Sequence, residues 1–412
     1  SLFSIFFSMM LRRAKEQAKE DILDGIYIRF RSDGSLFNLR RLLSHTKTME
    51  QLIMELLFAD DCALLAHTEV ALQNLVDHFS EASKAFGLTI SLKKTEVLFQ
   101  PAPLQNYTPP HITIDGTTLN SVEHFTYLGS VMSNDATIDK DLDNRLSKAS
   151  SSFGRLYKRV WNSHSLRLTT KIKVYRAVVI STLIYGAETW TLYRRQVRLL
   201  ERFHQRCLRS IQKIKWHDYV SNEDVLEKTE LPSIESIVLK QQLRWAGHVA
   251  RMEDSRIPKA VLFGELKAGK RNRGAPKKRY KDQLKKQLSL AKIPPSSWQD
   301  NASDRQTWRS TVQKASQEFE IQRSGAAREK RQRQKDRALS QNLPAMQQDL
   351  CITHRPLQSP AGVQPICPSL IFICEEPAII IIIIRAKGFS IYFLQETQFR
   401  NISAILVSPM GL

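Results

Sequence analysis

The stretch "LLFADDCALLA", Leu56–Ala66, sets Asp60 and Asp61 between two apolar runs. Runs of this length on either side of two polar positions predict two short strands joined by a hairpin, with the acids at its tip. Two-residue tips favour Asn-Gly or Asp-Gly because both positions take positive φ, so Asp-Asp is a poor choice on turn chemistry alone. Adjacent carboxylates also repel and raise each other's pKa unless a cation neutralises them. Hard divalent metals suit such oxygens, and Mg²⁺ commonly takes one or two protein carboxylates plus substrate phosphates. The pair therefore points to phosphoryl transfer, against the commoner explanation of a lone Asp-Asp as solvated loop acids.

The flanking sequence is mixed in character. Upstream, "GIYIRF" (Gly25 to Phe30) alternates and stops at "SDGS", which predicts a strand entering a hairpin. Downstream, Leu72, Leu75, Val76, Phe79 and Phe86 follow helical spacing up to Gly87, a residue suited to the position just past a helix end. "LTISLKKTEVLF" alternates like a strand, and Asp115-Gly116 between alternating runs predicts a tight hairpin. Beyond about Gly129 the period changes. Ile138, Leu142, Leu146, Ala149, Phe153, Leu156 and Val160 mark a long amphipathic helix, and segments 169–185 and 196–214 repeat that character. The fold class expected is α+β, a mixed sheet with helices followed by an all-helical unit.

The chain has 412 residues, and its 61 Lys and Arg against 41 Asp and Glu give a net charge of +20. That balance favours polyanionic partners, nucleic acid above all. Between Lys267 and Lys281, "KAGKRNRGAPKKRYK" holds eight basic residues and no acid, and "QRSGAAREKRQRQKDR" from Gln322 holds seven against two. Both runs are polar enough to be mobile until they meet phosphates, and solvation or nuclear localisation would use the same charges. Five scattered cysteines are too few for a disulfide framework and predict a reducing, intracellular compartment, nuclear and/or cytoplasmic. "AIIIIIIR" is too short to span a bilayer, so no membrane association is expected. His204 with Cys207, and His217 with Asp218, lack a second pair at zinc-like spacing and read as structural. Cys351, His354, Cys367 and Cys374 read as a chance grouping. Phe153, Trp161, Tyr175 and Trp190 read as core aromatics.

"FADD" between apolar runs, the helix after it, "GLTISLKKTEV" and then "FTYLGS" resemble, in this order, the reverse transcriptase of non-LTR (LINE-type) retrotransposons, particularly the RTE-like group. The likeness continues through "TLIYGAETWTL", "FHQRCLRSI", "LRWAGHVARM" and "DRQTWR", over roughly residues 1 to 335. It implies a partial polymerase palm over 1–135, a helical thumb-like unit over 136–250, and a basic, partly disordered nucleic-acid-binding extension over 251–345. Residues 346–412 fit none of these and are expected to be a disordered or artefactual tail. The intact enzyme would copy an RNA template into DNA from a DNA primer, using two Mg²⁺ ions.

By the same resemblance Asp60 binds the metal ions, with Asp61 supporting it. Lys93 and Lys94 lie near the incoming nucleotide phosphates, and Tyr127, Leu128 and Gly129 form the turn that holds the primer end. Lys270, Arg271, Arg273, Lys277, Lys278 and Arg279 contact nucleic acid. The opening "SLFSIFFS" resembles the helix after the family's template-contacting motif, so the fingers and the strand with the other metal-binding carboxylate are expected upstream of Ser1. The 412 residues alone are then expected to bind nucleic acid without polymerising. The alternative is a non-catalytic, nucleic-acid-binding remnant of a mobile element.

Overall fold

A computed structural model of the chain describes residues 6, 9–14, 25–44, 46–58, 61–102, 107–268, 276–342 and 379–385. Strand β1 (Ile26–Phe30) buries Ile26, Ile28 and Phe30 on one face, as its alternation predicts. It does not enter a tight hairpin. The chain first runs through a 3₁₀ turn at Leu39–Leu43 and returns as β2 (Met49–Ile53), antiparallel to β1.

Strands β3 (Glu55–Phe58) and β4 (Asp61–Ala66) form the hairpin expected around the acid pair. Helix α1 (Glu69–Ala85) follows, with the Thr68 side chain accepting from the Ala71 amide at 3.2 Å. It ends as its sequence predicts. Gly87 takes φ +71, its amide donates to Lys84 O, and the Leu88 amide donates to Ser83 O at 2.8 Å, closing the last turn.

After β5 (Glu96–Gln100), β6 (Thr113–Ile114) and β7 (Thr117–Thr118) flank Asp115 (φ 51) and Gly116 (φ 75), the expected two-residue turn. β8 (Asn120–Val122) pairs with β5 in parallel, and β9 (His124–Tyr127) pairs with β10 (Ser130–Ser133).

Helices dominate from there. The first are α2 (Asp139–Arg155), α3 (Leu168–Val174), α4 (Arg194–Gln212), α5 (Asn222–Thr229) and α6 (Ile234–Ala250). A wide turn at Tyr157–Trp161 closes the period read from Ile138 to Val160. Trp161, Tyr175 and Trp190 are buried, and Phe153 stacks on Trp161 with ring centres 5.0 Å apart, so these aromatics are core.

The basic extension is folded over its described part. Helix α7 (Ile257–Phe263), strand β11 (Gly264–Leu266), α8 (Tyr280–Leu290), α9 (Trp298–Ser303) and the long α10 (Arg305–Asn342) follow α6 along the chain. β11 pairs with β1, and Trp298, Trp308, Leu239, Leu243 and Leu288 share one apolar cluster. The Trp308 indole donates to Leu243 O at 2.9 Å across the face of Gly247, where a Cβ would collide with the ring. "LRWAGHVARM" and "DRQTWR" are thus two halves of one contact. Sequence reading missed this because charge in 267–281 and 322–337 hides tryptophans placed between the two runs.

Residues 379–385, expected in an unassigned tail, form strand β12 between β4 and β5 in a five-stranded sheet of order β3-β4-β12-β5-β8. Six consecutive β-branched residues favour an extended chain. Ile379, Ile381 and Ile383 join the core shared with Leu65 and Leu98, while Ile380, Ile382 and Ile384 join the one under α1. β12 thus covers the side of β4 away from β3. Cys351, His354, Cys367 and Cys374 lie outside the described residues. Among the described residues no helix is long and apolar enough to cross a membrane.

Candidate functional site

The β3–β4 register pairs Phe58 with Asp61. Asp61 is therefore the first residue of the return strand, one place further on than the sequence suggested. Asp60 lies outside the described residues. Asp61 is half-buried, and its partner in β12 is Arg385.

That register also locates Lys93 and Lys94. β12 pairs Arg385 with Asp61 on one side and Ile383 with Glu96 on the other, so β5 starts at the end of the sheet where β4 starts. Lys93 and Lys94 sit immediately before β5, exposed, in a 3₁₀ turn over Leu92–Lys94 where the sequence predicted an alternating strand. The Lys94 amide donates to Ser91 O at 2.9 Å, which tightens the turn and breaks the alternation. The two lysines and Asp61 thus share one sheet end.

The "YLGS" turn is joined to the acid hairpin by a side chain. Leu128 (φ 47) and Gly129 (φ 84) form the tip between β9 and β10, and Tyr127 is buried with its hydroxyl donating to Leu56 O at 3.3 Å. A leucine at positive φ is costly and needs support from its surroundings. Its support comes from the "IYGAETW" segment. The Tyr185 hydroxyl donates to Leu128 O at 3.0 Å, Arg145 donates to Gly129 O, and the Arg145 guanidinium lies 4.1 Å from the Tyr185 ring centre. Behind the tip, Asp141 accepts from the Val131 amide and from the Trp190 indole, each at 3.0 Å, and pairs with Arg145 at 3.7 Å. Burial raises the Asp141 pKa against the pull of these partners. The signal for Asp141 and Arg145 in the sequence is two opposite charges one turn apart, near the apolar stripe of a helix whose N-terminus directly follows the turn.

Of the predicted nucleic-acid contacts, Lys270, Arg271 and Arg273 lie outside the described residues. The next three have intramolecular partners. Lys277 donates to Asp135 O at 2.6 Å, and Lys278 sits 4.6 Å from the Tyr193 ring centre. One guanidinium nitrogen of Arg279 donates to both carboxylate oxygens of Glu265, each at 2.9 Å. Lys281 reaches the same carboxylate at 2.8 Å from a buried position, and burial lowers its pKa. The run at 322–337 is helical, and part of its charge docks α10 on α5. Arg331 lies 3.1 Å from the buried Glu223, and Arg328 pairs with Glu227 at 2.6 Å.

His204 and Cys207 are core residues, as the sequence suggested. The Tyr175 hydroxyl lies 2.9 Å from His204 Nδ1, and burial lowers the imidazole to about 4 and pushes the Cys207 thiol up to about 12. Among the described residues no three His, Cys, Asp or Glu side chains are grouped to hold a metal ion.

The chain is 26% identical over 279 residues to an uncharacterized transposon-derived protein of Caenorhabditis elegans, a match that takes in 64% of this chain and 96% of that protein. It is 24% identical over 190 residues to the RNA-directed DNA polymerase from mobile element jockey of Drosophila funebris, covering 43% of this chain and 20% of the polymerase. Both relatives are named for mobile elements, and the likeness supports a mobile-element origin for this chain. The chain thus spans about one fifth of the polymerase it matches. No protein-family model and no solved structure matches the chain.

Proposed function

We propose that the chain is a reverse-transcriptase-related segment of a non-LTR retrotransposon, with a partial palm, a helical thumb-like unit and a basic extension. The observation that carries this reading is the bond from Tyr127 to Leu56, which joins the "YLGS" turn to the hairpin of Asp60 and Asp61. Lys93 and Lys94 at the same sheet end add the positive charge that nucleotide phosphates need. Two adjacent carboxylates are a fitting donor set for Mg²⁺, which completes its shell with phosphates and water. When bound, Mg²⁺ supplies charge neutralisation at the transferring phosphoryl group. Asp60 and Asp61 would hold it, and Tyr127 through Gly129 would position the primer end. RNA template and DNA primer are the partners.

Fe²⁺ in place of Mg²⁺, with peroxide, cleaves protein backbone near its binding site and tests this placement. Cleavage is expected around positions 59–62, 92–95 and 127–130, suppressed by excess Mg²⁺ and by Asp60→Asn. Cleavage confined to other segments, or indifferent to Asp60→Asn, overturns the assignment.

A second reading, a nucleic-acid-binding remnant with no polymerase role, is favoured by one comparison. The match takes in nearly the whole of the worm relative, so that protein consists of little beyond this segment.

A further inference from the structure

We propose that the exposed face of α4 and the turn after it form a binding site for a single nucleic-acid strand. The site shares no residue with the acid hairpin or the basic runs at 267–281 and 322–337. It lies in the helical unit of the proposed function and deepens the nucleic-acid-binding part of that reading, while its failure would leave the metal-site assignment untouched.

Arg198, Arg202 and Arg206 recur every four residues and are all exposed, with Arg209 one turn further on. Four helical residues advance about 6 Å, so the guanidinium groups form a ladder along the helix that can follow the repeating phosphates of a strand. They line a groove of about 700 Å³ together with Glu201, Gln205 and Asn222. The arginines of the first turn are neutralised, Arg194 by Glu235 at 2.8 Å and Arg195 by Asp139. Arg198 and Arg202 have no such partner among the described residues. Arg206 lies over the Phe203 ring at 5.4 Å, which leaves its N–H edge for an acceptor. The helix has one acid, Glu201, and one of its oxygens accepts the Ile234 amide at 2.9 Å.

The turn at the end of the ladder supplies the second observation. Trp216 and Tyr219 are 83% and 84% exposed, the two most exposed large apolar side chains described. The turn that carries them is fixed. Arg209 donates to Val220 O at 2.9 Å and to Asn222 Oδ1 at 2.8 Å, while Asp218 accepts the Lys215 amide at 2.7 Å. Rigidly presented aromatics beside a row of cations are the combination that holds unpaired bases and their phosphates. An acidic protein segment would use the arginines and leave the aromatics idle.

The test is fluorescence anisotropy of a labelled single-stranded RNA of mixed sequence with the full chain, over a salt series. Arg198→Gln with Arg202→Gln should weaken binding tenfold or more and flatten the log–log salt slope by about 1.4, at about 0.7 per phosphate contact. Trp216→Ala should weaken binding at least fivefold and leave the slope unchanged, since stacking releases no counterions. Both sites are exposed, and an unchanged melting midpoint confirms that each variant folds. Unchanged affinity in the folded arginine variant overturns the site. So does a Trp216→Ala variant that binds like the parent, or polyglutamate competing as well as the RNA.

Discussion

The Tyr127 hydroxyl donates to the Leu56 carbonyl, so one buried bond ties the β9–β10 turn to the strand that leads into the acid pair. Residues 71 apart in sequence are thereby held in one frame. Tyr127→Phe keeps the ring and removes the donor, leaving a carbonyl short of one partner. We expect about 1 kcal/mol of lost stability, read as a lower urea midpoint with an unchanged slope. A midpoint equal to the parent's would show that the two motifs are held together by packing alone.

Asp141 is the keystone behind that turn. Asp141→Ala strands the Val131 amide, the Trp190 indole and the Arg145 guanidinium together, and breaking a buried pair of this kind costs about 3 to 5 kcal/mol. Asp141→Asn keeps size and some acceptor capacity and should cost less. Chemical denaturation ranks the two, and an alanine variant as stable as the asparagine variant would contradict the role.

The pH dependence follows from His204. Its folded pKa of about 4 lies below the usual 6.5, so between these values the unfolded chain binds the extra proton. Stability from this residue is complete above pH 6.5 and falls as pH drops toward 4, by up to about 3 kcal/mol. His204→Gln should flatten that part of the stability curve. A wild-type curve level between pH 6.5 and 4 would contradict the burial.

Gly247 marks where α6 and α10 approach. Gly247→Ala sets a methyl against the buried Trp308 ring, which has no room to withdraw, and should cost about 1 to 3 kcal/mol. The paired substitution Gly247→Ala with Trp308→Phe should cost less than the sum of the single changes in a denaturation cycle. Additive costs would separate the two sites.

Local chemistry was legible in the sequence wherever a turn or a period carried it. Gly87 ends α1, Asp115-Gly116 makes its hairpin, and Leu56–Ala66 folds back on itself. Three things were not legible. The place of β12 depends on pairing across more than 270 residues, which no local pattern encodes. Lys93 and Lys94 alternate like a strand, but hydrogen bonds to Ser91 O wind them into a turn. Arg279 looks like a phosphate ligand in a basic run, whereas its partner Glu265 stands fourteen residues earlier. A variant removing Lys277, Lys278 and Arg279 together therefore also disturbs the fold.

The most direct measurement exchanges this chain for the segment it matches in the jockey polymerase and assays primer extension on an RNA template with Mg²⁺. The graft should extend the primer, and Asp60→Asn in the graft should lower the rate at least about a hundredfold with template binding retained, as expected when preorganised charge stabilisation at the transferring phosphate is lost. A folded, template-binding graft that extends no primer, or an Asp60→Asn graft that extends as fast as its parent, would contradict the assignment of Asp60 to the catalytic metal site.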